Sequence, residues 1–528
     1  MKKYVRFLTI ALILLLLTGC GAGKNGDRLL FSGGSGSEGD PYRIATAADL
    51  RELAWRINDE QSQAQFVSAH YVLTADIDLD GKQWEPIQTF TGVLDGAGHT
   101  VSGLKINYKA PLIGDPVYQQ GLIGTLSGTV QDLTIHNSAI SVQGEGVYEV
   151  GAVAGKVRDG VIRNCHTTDS VSLTSSYHAG GICGSLNKGS EISGCTNAAA
   201  VTGTSKISSI GGIAVRSACP VVECSNSGTI TCTGDAGGIV CTATAGISDC
   251  VNSGDVTADG NAGGIVDSFD DGALNSNMND PEVTLLRCTN SGDITSASDP
   301  AGGIAVSCRT GKIADCTNSG NVTSSDEVGG IFAYFQPSVF GTPCVRFLVS
   351  GCVNTGTVTG TEVSEIYSVG GICGRVYESP TELIFEDCEN RGAIHSGAAA
   401  GGILGEGTVQ NLRLTRCANS GDIFGVEHSG GIVGTVKPGE PEESEKTVLL
   451  VENCVNSGSI YAEKSRGIDV GVYAAGILGH CNELMQEFSE ARFEGCENRG
   501  TLGGSDAARG CYLDDICGTL QVPEETEG

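Results

Sequence analysis

The chain has 528 residues, a hydrophobic content of 40% and a formal net charge of −30, from 32 basic and 62 acidic residues. This charge excludes nucleic acid as an expected partner, because phosphate binding needs clustered Lys and Arg. It is typical of an exported protein with a solvated acidic surface, and a surface that binds cations or a cationic partner is the alternative. The 78 glycines follow no strict Gly-X-Y period, which excludes collagen.

Residues 1–20 predict a lipoprotein signal peptide. Basic residues precede an apolar run, residues 7–17, that is too short to span a bilayer. The run ends in Leu17-Thr18-Gly19-Cys20, which resembles the bacterial lipobox. The resemblance implies cleavage before Cys20 and attachment of lipid to it, so we expect a lipid-anchored protein on the extracytoplasmic side of the cell membrane. An ordinary secretory signal with an incidental cysteine is the alternative.

The next two segments predict a tether and a cap. Residues 21–40 are rich in Gly and Ser, which is typical of a flexible tether. Residues 41–115 predict a cap that covers the open edge of a repeat domain. Thr46 and Asp49 have capping-box spacing at the start of a short amphipathic helix. Its apolar residues follow with helical periodicity: Leu50, Leu53, Ala54 and Ile57.

Strict alternation of apolar and polar residues from Tyr71 to Leu79 predicts one half-buried strand. Three aspartates on its polar side also fit the start of a calcium loop: Asp76, Asp78 and Asp80. The twelfth position of that loop is Ile87, where calcium needs a bidentate Glu. Since alternation explains the aspartates, no metal or other cofactor is expected.

Several stretches of this region resemble the leader of bacterial GLUG-motif surface proteins. They are Phe31–Gly36, Asp40–Ile44, Leu73–Leu79, Trp84–Ile87 and Phe90–Val101. Gly121-Leu122-Ile123-Gly124 is similar to the motif that names the family, and later units drift to sequences such as Gly402-Ile403-Leu404-Gly405. The resemblance covers nearly the whole mature chain. It implies a β-helical, surface-exposed protein and does not imply one activity.

Thirteen glycine-rich units repeat from about residue 121 and define the main domain, residues 116–520, before an acidic tail at residues 521–528. The best-formed units read Gly-Gly-Ile, a polar stretch, and then Ile-x-x-Cys-x-Asn-Ser-Gly-Asp. Their β-favouring segments are too short for helices and are separated by turn residues. A unit of about 26 to 31 residues fits one coil of three short strands. The expected fold is all-β: a right-handed parallel β-helix of about thirteen coils.

Cysteine and asparagine recur at fixed positions in these units. The cysteines are Cys165, Cys195, Cys224, Cys250, Cys288, Cys316, Cys352, Cys388, Cys417, Cys454 and Cys496. In all but the first unit, an Asn follows two residues later. Stacking predicts two internal columns, with amides bonded from coil to coil. Asn also tolerates the left-handed backbone that turns demand.

We expect the column thiols to be buried and reduced, because an evenly spaced stack offers no unique pairing and a buried thiol packs as a small hydrophobe. A partial disulfide framework is the alternative in an exported protein. The cysteines outside the column are the better candidates for pairing: Cys219, Cys232, Cys344 and Cys511. A metal site is not expected, since the chain has no CxxC motif.

Extra residues gather mainly in the arm between the Gly-Gly-Ile isoleucine and the next cysteine, which predicts a binding edge. The inserts are Asp267–Arg287, Tyr334–Val349 and the Pro- and Glu-rich Lys437–Lys446. The predicted ligand-binding residues are Asp267, Asp270, Asp271, Tyr334, Phe335 and Phe340. Aromatic contact with sugars is one interpretation of the second insert. The other is a loop that packs on its own apolar residues.

These features favour a non-catalytic surface protein that binds glycans or components of the host or extracellular matrix. The alternatives are a β-helical polysaccharide lyase or glycoside hydrolase, which would need paired carboxylates in a cleft, and a passive spacer. The sequence contains no H-E-x-x-H, no G-x-S-x-G and no P-loop. No catalytic residue is therefore predicted.

Overall fold

The computed structural model describes residues 31–514, with gaps at 110–117, 145, 147, 270–283, 310, 337–345, 362–366, 378–381, 427, 440–446, 464–471, 482–487 and 505–510. The predicted lipid-attachment residue Cys20 and the tail at residues 521–528 lie outside the described residues.

The chain folds into a parallel β-helix in which each complete coil, from Val93 to Cys481, contributes one short strand to each of five parallel sheets. Within the described residues the sheets contain 15, 14, 13, 13 and 13 strands, and they are numbered 1 to 5 here in their order along a coil. One coil comprises Ile247–Ser248, Val251–Asn252, Val256–Ala258, Ala262–Gly263 and Val266–Phe269. The predicted parallel β-helix is confirmed. The prediction of three strands per coil is wrong, because tight corners divide each coil at five points.

Sheets 1, 2 and 3 run from Tyr42–Ile44 to Glu490–Glu494, from Ile77–Asp78 to Glu497–Asn498, and from Lys105–Lys109 to Leu502–Gly504. The strands of sheet 4 are Tyr118–Gln120, Tyr148–Gly151, His178–Gly180, Ser209–Gly211, Asp235–Gly237, Ala262–Gly263, Ala301–Gly302, Val328–Gly329, Ser368–Gly370, Ala399–Gly401, His428–Gly430, Val472–Ala475 and Cys511–Asp514. Those of sheet 5 are Ile87–Phe90, Ile123–Leu126, Ala154–Val157, Cys183–Leu186, Ala214–Ser217, Val240–Ala243, Val266–Phe269, Ala305–Cys308, Phe332–Phe335, Cys373–Val376, Leu404–Val409, Val433–Pro438 and Leu478–Cys481.

The predicted cap helix is present at Ala47–Asn58. The Thr46 hydroxyl accepts a hydrogen bond from the Asp49 N–H at 3.1 Å, and the Asp49 carboxylate accepts one from the Thr46 N–H at 3.0 Å. All four predicted apolar residues are buried: Leu50, Leu53, Ala54 and Ile57. A second, one-turn helix spans Gln63–Phe66. Through its four buried residues, the cap helix Ala47–Asn58 packs its apolar side against the interior of the first coils.

Two details of the N-terminal region differ from the prediction. Residues 31–40, assigned to the tether, pack onto the cap: the Phe31 ring lies 4.9 Å from the Tyr42 ring. The predicted single strand is divided into His70–Leu73 in sheet 1 and Ile77–Asp78 in sheet 2. The alternation of buried and exposed residues nevertheless continues through the corner. For this reason the pattern could not reveal the break.

The column cysteines lie at the corner between sheets 1 and 2, and all eleven are free. Ten are buried and Cys496 is half-buried. The Cys250 thiol lies 3.3 Å from the Ser248 carbonyl oxygen and 3.6 Å from that of Val221 in the preceding coil. Burial, followed by the contacts with the neighbouring column thiols Cys388 and Cys454, raises the pKa of Cys417 well above the ordinary value. The ten buried thiols are therefore held by backbone acceptors in the interior, and the half-buried Cys496 has the same kind of acceptors at the C-terminal end of the column.

The predicted pairing of off-column cysteines is wrong for the two that the structure describes. Cys219 and Cys232 are both buried and free. Their sulfur atoms face hydroxyl groups of their own surroundings, since Cys232 Sγ lies 3.1 Å from Ser208 Oγ and Cys219 Sγ lies 3.7 Å from Ser217 Oγ. The side chains of Cys344 and Cys511 lie outside the described part.

The asparagines form an unbroken hydrogen-bonded ladder from Asn197 to Asn498. Each Nδ2 donates to the Oδ1 of the next asparagine at 2.7 to 2.9 Å. From Asn226 to Asn456 the same Nδ2 also donates to the glycine carbonyl two residues later, at 2.8 to 2.9 Å. The predicted amide column is thus present, and it satisfies polar groups that the interior would otherwise leave unpaired.

The left-handed backbone lies at a different residue from the one expected. The residue before every column cysteine has a φ between 49° and 63°. These left-handed residues include Arg287 and Glu223, for which a left-handed conformation costs about 1–2 kcal/mol. The ladder asparagines lie in the short strands of sheet 2 instead. The corner geometry, and not the intrinsic preference of the residue, therefore decides where the chain turns.

Candidate ligand-binding groove

Long connections occur on both sides of one face of the β-helix. From residue 118 onward the corner between sheets 4 and 5 has the same length in every coil, as has the corner between sheets 1 and 2. The predicted inserts all join sheet 5 to sheet 1: Phe269 to Thr284, Phe335 to Arg346, and Pro438 to Val448. Further long connections join sheet 3 to sheet 4: Lys109 to Tyr118, Gly360 to Ser368, and Glu463 to Val472. Long connections thus border the face formed by sheets 4 and 5 along both of its edges.

This face is concave, because the Gly-Gly-Ile corner brings the outer sides of the two sheets together. A Cβ atom added at Gly184 in sheet 5 would lie 2.3 Å from the Gly155 carbonyl oxygen and 2.8 Å from the Glu149 carbonyl carbon in sheet 4. One at Gly374 would lie 2.6 Å from the Val328 carbonyl oxygen. We call this concave face the groove.

The N-terminal part of the groove contains a depression of about 400 Å³. Its lining includes Glu149, Lys156, Ser185, Lys188 and Arg216. Glu149 Oε1 lies 3.2 Å from Lys156 Nζ and accepts a hydrogen bond from Ser185 Oγ at 2.7 Å. This part of the groove therefore combines cationic groups with hydroxyl groups.

Two buried acidic residues lie in the middle of the groove. Asp267 is 5% exposed and its Oδ1 has no hydrogen-bond partner. Burial, together with the charge of nearby Asp235, raises the pKa of Asp267 to about 8. Burial also raises the pKa of Glu327, to about 8, and the adjacent Asp326 adds to the effect. Both carboxyl groups are therefore largely protonated at neutral pH.

Glu327 belongs to a cluster of charged and aromatic side chains in the C-terminal part of the groove. Arg375 lies between two acidic side chains, 3.5 Å from Glu327 Oε1 and 3.5 Å from Glu406 Oε1. Its guanidinium also lies over the Tyr377 ring, 4.8 Å from the centroid. The Tyr377 hydroxyl hydrogen-bonds to Glu327, and Lys437 Nζ lies 3.2 Å from Glu406 Oε1. The cluster is consequently cross-linked over four coils.

Three stacked rings follow toward the C-terminal end of the groove. The His428 and His480 rings lie 4.2 Å apart, and the Tyr473 ring lies 4.5 Å from that of His480. Burial, followed by the charges of His480 and Lys437, lowers the pKa of His428 to about 3. His428 is therefore neutral at physiological pH, and the stack offers an aromatic surface.

Two of the six predicted binding residues lie in the groove. Asp267 lies at its floor, and Tyr334 lies with its ring 5.7 Å from that of Tyr377. The prediction for Phe335 is wrong: it is fully buried in the core, because neighbouring residues of a strand face opposite sides. Asp270, Asp271 and Phe340 lie outside the described residues.

Most of the groove residues were not predicted from the sequence. Several of these occupy the third position after the isoleucine of a Gly-Gly-Ile or Ala-Gly-Ile corner: Arg216, Arg375, Glu406 and His480. This position is polar or aromatic, whereas the positions on either side of it are mostly small or apolar, with Asp267 as an exception. A fixed position of the repeat could therefore have indicated the groove residues, in addition to the inserts.

No protein-family model matches the chain. It is similar to halomucin of Haloquadratum walsbyi, with 36% identity over 133 residues, which are 23% of this chain and 1% of that protein. It is also similar to a protein of Evansella cellulosilytica named as a Gly-rich membrane protein, with 32% identity over 148 residues, 26% of this chain and 16% of that protein. The chain thus spans a small part of the length of either relative.

Among solved structures, one from Bacteroides ovatus named as an immunoglobulin A1 protease aligns with 69% of this chain and 80% of its own, at 19% identity and a TM-score of 0.28. The assignment of the fold accordingly rests on the strand pairing described above. Across the described ranges, no helix combines the length and apolar character needed to cross a membrane.

Proposed function

We propose that this protein is a cell-surface, non-catalytic binding protein that holds an extended glycan in the groove. The observation that carries the proposal is the groove itself, which is concave, runs across the coils and is bordered by inserts. It presents aromatic rings beside carboxylate, guanidinium and hydroxyl groups. Sugar hydroxyls pair with such polar groups, and the apolar faces of sugar rings pack on aromatic side chains. A glycan borne by a host surface protein would meet the same groups.

The rigidity of the fold supports binding to a long ligand. Residues of neighbouring coils are held in register by backbone pairing, as in Tyr334 with Arg375 and Arg375 with Glu406. A preorganised row of weak contacts gains affinity because few side chains must be ordered on binding. Attachment through Cys20 would display the groove outside the cell, and one of the similar proteins is named as a membrane protein.

A glycoside hydrolase is the second candidate, favoured by Asp267 and Glu327. Both lie in the groove, and burial raises the pKa of each to about 8, so either could donate a proton at neutral pH. A hydrolase also needs an ionised partner carboxylate across the bond that breaks. Glu406 is held by Arg375 and Lys437, which favours a structural role for that carboxylate.

The test uses glycan arrays and a matched pair of tyrosines. Tyr377 in the groove and Tyr461 on the outer side of sheet 3 are each 37% exposed. Tyr377→Ala should weaken glycan binding roughly 3- to 10-fold, which corresponds to an aromatic contact of about 0.5–1.5 kcal/mol, whereas Tyr461→Ala should leave binding unchanged. If both variants bind the glycan as tightly as the wild type does, the groove is not the glycan-binding site.

Incubation with the bound glycan, followed by product analysis, separates binding from hydrolysis. Intact glycan is the expected result. Released oligosaccharides that disappear in Glu327→Gln would establish the hydrolase instead. For the anchor, Cys20→Ala expressed in a bacterial host should move the protein from the membrane fraction to the soluble fraction, and retention in the membrane would refute lipid attachment at this residue.

A further inference from the structure

The depression in the N-terminal part of the groove is cationic, although the chain has a net charge of −30. Its lining includes three basic side chains, Lys156, Lys188 and Arg216, and one acidic side chain, Glu149. The lining also includes neutral polar groups: Ser185, Asn187, Thr242 and Thr244. Such a combination offers cations together with hydrogen-bond donors, within a volume of about 400 Å³.

Two of the three cations are available to a ligand. Lys156 is neutralised by Glu149, at an N–O distance of 3.2 Å. Lys188 and Arg216 are exposed, and in the described part of the chain neither forms an ion pair. Nearby His178 is held neutral, since burial and then the charge of Arg216 lower its pKa to about 4. The depression therefore has an uncompensated positive charge.

We propose that this depression is a subsite for the carboxylate or sulfate group of an acidic sugar. The inference rests on the proposed glycan-binding function and specifies the class of glycan. A guanidinium presents two parallel N–H groups that match the oxygens of a carboxylate or sulfate, and Lys188 supplies a second, mobile charge. The hydroxyl group of Thr242, which also lines the depression, donates to a remaining oxygen of the anion.

The rest of the groove restricts where the acidic group can lie. Asp235, Asp267, Glu327 and Glu406 follow the depression toward the C-terminus, and repulsion from their charged members disfavours a polymer with an acid on every residue. The protonated carboxyls and the aromatic rings suit neutral sugars instead. The preferred ligand is thus a glycan that has an acidic residue at one end or branch and neutral residues along the chain.

The experiment measures affinity for three matched sets of oligosaccharides: neutral galactosides, the same galactosides bearing a terminal sialic acid, and the same galactosides bearing a sulfate ester. The wild type should bind at least one acidic set roughly 10-fold more tightly than the neutral parent, as expected for hydrogen bonds to a charged group. Comparing the sialylated and sulfated sets identifies which anion the site takes. The preference should decrease as NaCl is raised.

The variants are Arg216→Gln, Lys188→Gln and the double variant. Arg413→Gln, on the outer side of sheet 1, removes the same charge at another face and serves as the control. The double variant should lose the preference for acidic glycans, so that it binds the acidic and neutral sets with equal affinity, and the control should keep the preference. Equal affinity of the wild type for acidic and neutral glycans would overturn the subsite and leave the proposed function intact. Absence of binding to all three sets would overturn both.

Discussion

Removing one internal rung of the asparagine ladder should destabilise the coils around it far more than removing the last rung. Asn318 is fully buried and makes three side-chain hydrogen bonds. Its Nδ2 donates to Asn354 Oδ1 and to the Gly320 carbonyl, both at 2.8 Å, and its Oδ1 accepts from Asn290 Nδ2 at 2.8 Å. The substitution Asn318→Ala removes all three bonds and leaves the Asn354 oxygen without its donor.

The expected cost follows from this count. Three net hydrogen bonds contribute about 3 kcal/mol, and a buried oxygen without a donor adds about 1–3 kcal/mol, so the total is about 4–6 kcal/mol. The control is Asn498→Ala. Asn498 is half-buried; it accepts from Asn456 at 2.9 Å and from the Gly500 N–H at 3.2 Å, and it donates to the Gly500 carbonyl at 3.4 Å. Because water can replace these bonds at a half-buried site, the control should lose only about 1 kcal/mol.

Hydrogen exchange suits this test better than a global denaturation curve, because a long repeat protein opens locally. Amides of the strands Thr289–Asn290, Thr317–Asn318 and Val353–Asn354 should exchange at least 100-fold faster in Asn318→Ala, while the distant strand Thr196–Asn197 should keep its protection. If the internal and terminal variants lose the same protection, the ladder is not the source of the stability assigned to it.

Three other predictions test the corner, the buried acid and the thiol column. In Gly264→Ala the added Cβ would lie 1.9 Å from the Gly303 carbonyl oxygen, so a loss of at least about 3 kcal/mol in thermal unfolding is expected. Gly39→Ala, with nothing within 4 Å, should melt like the wild type. The pKa of Asp267 is raised from 3.8 to about 8, so between these pH values the unfolded chain has lost a proton that the folded chain keeps. Wild-type stability should therefore fall by up to about 1.4 kcal/mol per pH unit relative to Asp267→Asn across that window, and parallel pH profiles in urea denaturation would contradict the raised pKa. The ten buried column thiols should react with a thiol reagent only after denaturation, whereas the half-buried Cys496 can react before it, and mass spectra showing the ten as disulfides would refute the reduced column.

Much of the candidate site could not be predicted because it depends on which residues different coils bring together. The sequence marked Asp267 and Tyr334 through the inserts that follow them. It gave no reason to join Glu327 with Arg375 and Tyr377, which lie about 50 residues further along the chain. That contact exists because sheet 4 of one coil faces sheet 5 of the next across the concave corner. Phe335 was misassigned by one position, which in a strand is the difference between the core and the groove.

The sequence by itself determined the repeat, the parallel β-helix, the cap helix at Ala47–Asn58 and the two internal columns. Each of these depends on spacing or on the chemistry of one recurring residue, and both are visible locally. Only the tertiary structure decided the five corners, the left-handed residue before each column cysteine and the concave face. Those features arise from packing of one coil on another, which forces Glu223 and Arg287 into a conformation that their own preferences disfavour. The same packing buries Asp267 and Glu327 and so raises the pKa of each.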